Sequence, residues 1–194
     1  TTPCLRPISE PRAEICKKSA PAAQPGRISL RRQNMLNIVT QIDGNTLRGL
    51  LSVYSESMQD LRINFGSDAE MRAAYESFLR DFVKSSKHLI LAEESGGEWV
   101  SALRAIETGE GRWFLEAVET KPASRQKGFG TALLCHTIDY LRGLGMTELT
   151  CLISKKNLAS QALHGKCGFV PTDELPLNCW GELEEGTVLY RLAK

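Results

Sequence analysis

The sequence predicts an α+β fold in which a mostly antiparallel sheet is flanked by helices. Three apolar segments in the middle of the chain are separated only by short glycine turns, as consecutive antiparallel strands are. Two segments before them and two after them repeat their apolar residues at helical spacing. These observations give the order β-α-α-β-β-β-α-β-α-β-β along the chain.

The first predicted elements are a strand and two helices. The apolar run 36–42 favours a strand, and residues 46–60 repeat apolar side chains at the spacing of an amphipathic helix. Ser67 followed by Glu70 is a capping box, and the aromatic stripe behind it predicts a second helix that ends near Lys84. We interpret both stripes as core, with the alternative that this helix pair borders a ligand pocket.

The remaining elements are separated by glycines, which end helices and form tight turns. The predicted strands are 88–94, 98–107, 112–120, 147–153, a short one that begins at Phe169, and 186–192. The predicted helices begin at Phe129 and Asn157 and end near Gly143 and Lys166. An acidic loop, residues 173–186, precedes the closing strand.

The chain has 194 residues, and we divide it into an extension, residues 1–34, and a folded domain, residues 35–194. The extension is rich in Pro, Ser, Ala and Arg without periodicity, so we expect it to be poorly structured or loosely packed. The net charge of +1 gives no general reason to expect nucleic acid or an anionic membrane as a partner. No apolar run approaches the roughly 18 residues that a membrane helix needs.

The six cysteines show no C-x-x-C pair and no histidine at ligand spacing, so we predict no metal site. Four of them, Cys135, Cys151, Cys167 and Cys179, lie in or beside predicted elements and resemble small core residues. The first residues lack the apolar core of a signal peptide, and we therefore expect a reducing, cytoplasmic setting.

A basic loop, Arg125-Gln126-Lys127-Gly128-Phe129-Gly130, connects an apolar strand directly to a helix. The free N–H groups and the positive dipole end of a helix N-terminus bind phosphate, and glycines let a ligand approach the backbone. The loop lacks the P-loop pattern and the third glycine of a dinucleotide fingerprint. It is therefore a candidate phosphate site of another kind, with a ligand-free tight turn as the alternative.

Two sequence motifs, which occur in order along the chain, together indicate one protein family. Arg125-x-x-Gly128-x-Gly130 resembles the acyl-CoA pyrophosphate loop of the GNAT superfamily of N-acetyltransferases, whose pattern is [Q/R]-x-x-G-x-[G/A]. The later segment resembles that family's N-x-x-[SA]-x-x-L-Y-x-K-x-G-F and reads Asn157-x-x-Ser160-x-x-Leu163-His164-x-Lys166-x-Gly168-Phe169. The resemblance covers roughly residues 36–194 and implies α/β/α layers around a mixed, mostly antiparallel sheet.

The resemblance also implies how acetyl-CoA would bind, as a co-substrate and without a metal. The pantetheine arm would pair with the strand before the loop, at Ala117, Val118, Glu119 and Thr120. The pyrophosphate would bind Arg125, Gln126, Lys127, Gly128, Phe129, Gly130 and Thr131. Asn157 would hydrogen-bond the pantetheine arm or orient the departing thiol.

Direct attack of a neutral amine on the thioester, through a tetrahedral intermediate, calls for a base and for an acid at the leaving thiolate. Glu116 is our first candidate base and Glu119 the second, because strand alternation turns one of them toward a covered face. The alternatives are a salt bridge of one carboxylate to Arg104, and deprotonation through water. His164 occupies the position at which the family usually has a tyrosine that acts as the acid. It is therefore the acid with a different pH dependence, a hydrogen-bond donor to the sulfur, or a helix-surface histidine with no role.

No motif in the sequence identifies the amine acceptor, which could be a small molecule, a peptide or a protein. The acidic loop 173–186 could attract a cationic amine such as a polyamine, an aminoglycoside or a lysine side chain, although a charge run is more often a solvated face. Trp99, Trp113 and Trp180 could line a pocket or serve in packing. Edge strands near the C-terminus would suit a homodimer. The alternative functions are a non-catalytic acyl-CoA sensor on the same fold and an unrelated nucleotide-binding module.

Overall fold

Residues 35–193 are described by a computed structural model, and the predicted extension 1–34 lies outside this range. A seven-stranded sheet in the order β1-β2-β3-β4-β5-β7-β6 forms its centre. The strands are β1 (Met35–Val39), β2 (His88–Ser95), β3 (Glu98–Gly109), β4 (Arg112–Thr120), β5 (Glu148–Ser154), β6 (Phe169–Pro171) and β7 (Thr187–Leu192). The helices are α1 (Gly44–Val53), α2 (Ser55–Leu61), α3 (Asp68–Phe82), α4 (Phe129–Gly143) and α5 (Leu158–Lys166).

The sheet is antiparallel apart from one pair of strands, β4 and β5, which run parallel. Their pairing begins with Arg112 and Glu148 and ends with Leu115 and Cys151. Past this point the described residues include no strand partner for 116–120 on the β5 side. The predicted mixed, mostly antiparallel fold is confirmed, and the loss of pairing opens the sheet at its middle.

Two apolar cores lie on opposite faces of the sheet, which confirms the predicted α/β/α layers. One core joins α1, α2 and α3 to β2 and β3, and it includes Leu50, Met58, Leu79, Ile90 and Ala102. The other joins α4 to the strands β2 to β5, and it includes Leu91, Leu103, Leu115, Leu133, Leu134 and Leu149. Each fully buried leucine contributes about 1.5–3 kcal/mol relative to exposure, so both faces hold their helices firmly.

The predicted helix 46–60 is two helices, because the chain bends at Tyr54. This residue has φ −86° and ψ 22°, outside the helical region, between the end of α1 and the start of α2. Tyr54 and Met58 are both buried, so the apolar periodicity continues through the bend and does not reveal it. The bend brings the first turn of α2 against β4, where Ser57 hydrogen-bonds to Glu119.

β4 contains a bulge that strict alternation does not predict. Ala102 pairs with Glu119 and Arg104 pairs with Glu116, so two steps along β3 match three steps along β4. Ala117 lies in this segment with φ 51°, which is uncommon for a residue with a side chain. The extra residue reverses the alternation, so Glu116 and Glu119 both face the α1–α3 side. The prediction that they lie on opposite faces was wrong.

Other sequence expectations concern membranes, metals and cysteines. Across residues 35–193, none of the helices has the length and apolar character needed to cross a membrane. The same residues include no group of three His, Cys, Asp or Glu side chains arranged to hold a metal ion. Cys151 is buried in the core as expected, but Cys135 is exposed, so the prediction of a core role was wrong for Cys135.

Candidate active site

A cleft of about 710 Å³ lies beside the unpaired end of β4. The loop before α4, the first turn of α4, the start of α5 and the polar side of α2 complete its walls. It brings together most of the residues that the sequence assigns to cofactor binding, namely Val118, Glu119, Thr120, Arg125, Gln126, Gly128, Phe129, Gly130, Thr131 and Asn157. Lys127 is not among the lining residues, and Ala117 lines a second, adjoining cavity.

The loop before α4 carries a row of free backbone N–H groups. Gln126 has φ 60° and Gly128 has φ 87°, so the chain turns sharply at both residues. Within residues 35–193, the N–H groups of residues 126–131 find no backbone acceptor, and no side chain caps the helix. A Cβ at Gly128 would meet nothing within 4 Å, so this turn is open to a ligand. Together with the helix dipole, these groups form a site for an anion.

The two cations of the loop hold its conformation. Arg125 donates from Nε to the carbonyl of Thr120 at 3.0 Å and forms an ion pair with Glu56 of α2. Lys127 donates from Nζ to the carbonyl of Ala123 at 2.6 Å. Arg125 would have to leave Glu56 to use that nitrogen on an anion, whereas the N–H groups of the loop need no rearrangement.

Phe129 and Gly130 begin α4 inside the protein. Both residues are buried, so only their backbone groups are available to the cleft. A Cβ on Gly130 would lie 3.1 Å from Thr120 Oγ1 and 3.2 Å from Leu163 Cδ2. The second glycine of the loop therefore permits the close packing of α4 against β4 and α5, and an alanine there would need the Thr120 or Leu163 side chain to shift by a few tenths of an ångström.

Glu119 lies in the cleft with a partly buried carboxylate. Ser57 of α2 donates a hydrogen bond to its Oε2 at 2.6 Å. Burial raises the pKa of Glu119, and the Ser57 hydrogen bond and the nearby charge of Arg125 offset part of this rise. A carboxylate with a raised pKa beside a cleft has the properties of a general base.

Glu116 forms an ion pair with Arg104 of β3, as one of the sequence alternatives anticipated. The Arg104 Nε lies 2.5 Å from Glu116 Oε1, and the side chains are only 16% and 17% exposed respectively. The Arg104 guanidinium also lies over the rings of Phe78 and Phe82, at 5.1 and 5.9 Å from their centroids. Glu116 thus neutralises a buried cation, and this contact ties up the carboxylate.

His164 lies behind the cleft wall and lines neither cavity. Its Nδ1 donates to the Ser160 carbonyl at 2.9 Å, which leaves Nε2 without a proton in the neutral ring. Nε2 is buried and has no hydrogen-bond partner in the described part of the chain, and burial lowers the pKa of His164. The ring reaches the cleft only through Ser160, whose Oγ lies 3.2 Å from Nδ1.

Asn157 has a structural contact that its motif does not reveal. Its Oδ1 accepts a hydrogen bond from the Ser160 N–H at 3.0 Å and so caps the N-terminus of α5. The residue lines the cleft, and its Nδ2 group makes no hydrogen bond to another residue of 35–193. One side chain can therefore cap the helix and still offer a donor to a ligand.

A second cavity of about 310 Å³ lies between the Tyr54 bend, α2, α3 and the sheet. Its walls are mostly apolar and aromatic, and its lining from the sheet comes from Arg104 and Ala117. Ser57 lines both this cavity and the cleft, so the two spaces adjoin at Ser57, whose hydroxyl bonds to Glu119 of the cleft.

The acidic loop 173–186 uses many of its charges internally. Glu174 pairs with Arg191 of β7 through two hydrogen bonds, of 2.6 and 2.8 Å. Glu182 and Glu184 both accept from the Asn178 side chain. Trp99, Trp113 and Trp180 line neither cavity. These contacts agree with the interpretation of the loop as a solvated face.

Some residues of the site carry no sequence signal of their own. Ser57 is one of three serines within the predicted helix 46–60, and no motif distinguishes it from the other two. Tyr54 and Tyr75 fall on apolar stripes that equally describe core residues. Only the packing of α1–α3 on the sheet brings these three side chains together.

Comparisons with known proteins agree with this geometry. A model of the acetyltransferase (GNAT) family matches residues 50–169. The fold is similar to that of PaiA N-acetyltransferase from Thermoplasma acidophilum, solved in complex with coenzyme A, at 16% identity and a TM-score of 0.62, over 82% of this chain and 99% of that one. A comparison with curated protein sequences gives no significant match.

Two further solved structures have a similar fold. The ribosomal-protein-S18-alanine N-acetyltransferase from Escherichia coli has 18% identity and a TM-score of 0.56, over 81% of this chain and 93% of that one. A spermidine N-acetyltransferase SpeG chimera from Vibrio cholerae and hSSAT has 15% identity and a TM-score of 0.61, over 81% of this chain and 94% of that one.

Proposed function

The chain belongs to the acetyltransferase (GNAT) family, and on that premise we propose that it transfers an acetyl group from acetyl-CoA to a primary amine. The observation that carries the proposal is the junction of two cavities beside Glu119. One cavity leads to an anion site at a helix N-terminus, and the other is a separate pocket for a second molecule. Two substrates that enter from the two cavities would meet at a carboxylate with a raised pKa.

The cleft has the features that acetyl-CoA requires. Residues 116–120 of β4 have no strand partner on the β5 side among the described residues, so they can pair with the amide groups of a pantetheine arm. The N–H groups of residues 126–131 can bind the pyrophosphate. When bound, acetyl-CoA would supply the thioester carbonyl that the amine attacks. The Asn157 Nδ2 group is a donor for the pantetheine arm or for the sulfur.

Glu119 is our candidate for the general base, in preference to Glu116. An alkyl ammonium group has an ordinary pKa of about 10.4, so the amine arrives protonated at neutral pH and must lose a proton before attack. Glu119 can accept that proton directly or through water, and Ser57 holds the carboxylate in place at 2.6 Å. Glu116 is less suited to this role because its carboxylate is engaged by Arg104 and lines neither cavity.

Departure of the CoA thiolate requires less assistance from protein side chains than deprotonation of the amine. A free thiol has a pKa of about 8.5, so a thiolate departs more readily than the amine would. His164 holds its single ring proton on Nδ1 against a carbonyl and does not line the cleft. We therefore propose that His164 positions Ser160 and the first turns of α5, and that protonation of the thiolate does not depend on this ring.

The test is a thiol-release assay with acetyl-CoA and a panel of primary amines, together with calorimetric titration of acetyl-CoA. We expect tight binding, amine-dependent release of CoA, and an acetylated amine detected by mass spectrometry. Glu119→Gln should bind acetyl-CoA as the wild type does and turn over slowly. Binding without release for any amine would favour a non-catalytic acyl-CoA sensor, and absence of binding would refute both functions.

A further inference from the structure

The second cavity has the size and lining of a pocket for one small apolar molecule. Its volume of about 310 Å³ lies at the lower end of the roughly 300–1,000 Å³ found for small-molecule pockets. The helical wall includes Tyr54, Met58, Phe65, Tyr75 and Phe78. Tyr75 and Phe78 stack with centroids 6.2 Å apart, and Tyr54 meets Tyr75 edge-on at 6.4 Å. Such a wall suits an aromatic ring.

The charges around the cavity disfavour an acceptor with a second ammonium group. Among residues 35–193, no aspartate or glutamate lines the cavity, and the one charged lining residue is the cation Arg104. Glu116 already neutralises Arg104, and the Arg104 guanidinium lies over the Phe78 ring, where a ligand cation would otherwise bind. Glu184 of the acidic loop does not line the cavity, and its carboxylate already accepts a hydrogen bond from Asn178. Glu56, Asp60 and Glu119 line the adjoining cleft and not the cavity. Glu119 bonds to Ser57, the residue common to both spaces, so it is our candidate partner for one ammonium.

Two hydroxyl groups of the cavity are available to a ligand. Tyr54 Oη and Tyr75 Oη are both buried and have no hydrogen-bond partner of good geometry within the described part of the chain, although the Tyr75 hydroxyl lies beside Arg104. The Tyr54 residue is only 3% exposed. Burial raises the pKa of both phenols, that of Tyr75 to about 12, so both stay neutral and can donate or accept. A ligand with one polar group on its apolar body would satisfy them.

We propose that the amine acceptor is a primary arylalkylamine with one neutral hydrogen-bonding group on its ring, and that polyamines and peptides are poor acceptors. The inference rests on the proposed function, since it names the second substrate of the same site. The amine end lies at Ser57 and Glu119, the ring lies against Tyr75 and Phe78, and the ring substituent bonds to the buried tyrosine hydroxyls.

The test compares kcat/KM for acetyl transfer to tyramine, phenethylamine, spermidine and an alanine-initiated peptide. We expect tyramine to exceed phenethylamine several-fold, and to exceed spermidine and the peptide at least tenfold. A preference for spermidine or the peptide would overturn this inference and leave the acetyltransferase function standing. Acetyl-CoA binding with no transfer to any of the four amines would overturn both.

Matched variants test the pocket itself. Tyr54→Phe should lower kcat/KM for tyramine about tenfold and leave phenethylamine within twofold, while Tyr140→Phe on α4 should change neither. Ala74→Phe fills the cavity and should abolish transfer to both amines without weakening acetyl-CoA binding. Ala73→Phe, on the same helix outside the lining, should have no effect. Equal losses for tyramine and phenethylamine in Tyr54→Phe, or full activity in Ala74→Phe, would contradict the proposed pocket.

Discussion

Glu116→Gln should destabilise the fold, and Glu119→Gln should slow the reaction. Removing one partner of a fully buried ion pair costs about 3–5 kcal/mol. Glu116 and Arg104 are 17% and 16% exposed, and a glutamine can still accept a hydrogen bond from the Arg104 Nε, which lies 2.5 Å from Oε1. We therefore expect Glu116→Gln to lower the free energy of unfolding by about 2–3 kcal/mol.

Glu119→Gln should behave in the opposite way. Glu119 is only partly buried, and a glutamine carbonyl can accept the Ser57 hydrogen bond, so stability should change by less than about 0.5 kcal/mol. Loss of a general base lowers the rate by about 10²–10⁴-fold, and we expect kcat to fall within this range. In the wild type, burial raises the pKa of Glu119. As the pH is lowered, activity should therefore begin to fall at a pH above the ordinary pKa of a glutamate.

Urea unfolding measures the first quantity, and thiol release at saturating acetyl-CoA and amine measures the second. Glu98→Gln is the control, because Glu98 forms an exposed ion pair with Lys121 whose loss should cost little. A stable Glu116→Gln variant with greatly reduced kcat, beside a Glu119→Gln variant of normal kcat, would refute the assignment of the two carboxylates.

Further variants test the glycine loop, the Asn157 cap and the His164 ring. Gly128→Ala and Gly145→Ala should each lower the free energy of unfolding by about 1 kcal/mol, since both glycines have positive φ and open surroundings. Only Gly128→Ala should also weaken acetyl-CoA binding, as measured by calorimetry. Asn157→Asp keeps the cap and should lower kcat/KM at unchanged stability, whereas Asn157→Ala should also lose about 1 kcal/mol; equal stability of the two would contradict the capping role. Burial lowers the pKa of His164, so its contribution to stability is present above pH 6.5 and is lost as the pH falls through the lowered pKa. His164→Phe should therefore reduce the pH dependence of the unfolding free energy across this acidic range. It should leave the decrease of kcat at alkaline pH unchanged.

The glycine loop could be predicted from the sequence because its chemistry is local. Consecutive residues provide the turn, the free N–H groups and the helix that follows, and the structure has all three at residues 125–131. The order of most strands and helices along the chain also follows from periodicity and short turns, whereas the layers were implied by the resemblance to the family. The capping box before α3 is present, with the Ser67 hydroxyl accepting from the Glu70 N–H at 3.1 Å.

The features that define the reaction site depend on contacts between distant segments. The bulge at Ala117 arises from the pairing register between β3 and β4, and the amino-acid sequence of β4 alone does not indicate where the alternation is interrupted. The bend at Tyr54 leaves the apolar stripe intact, yet it brings Ser57 to Glu119, 62 positions away in the chain. For the same reason, the second cavity could be anticipated only as an alternative for the helix pair, since the Tyr54 bend, two helices and the sheet enclose it.

A crystal structure with CoA joined through an acetyl bridge to the nitrogen of the best amine would test most directly whether the two cavities meet at the reaction site. We predict that the pyrophosphate binds the N–H groups of residues 126–131, that the pantetheine pairs with the free edge of β4, and that the bridging nitrogen lies within direct or one-water reach of Glu119. The amine body should fill the cavity beside Tyr54 and Tyr75. A nitrogen directed away from Glu119, with that cavity empty, would contradict this arrangement.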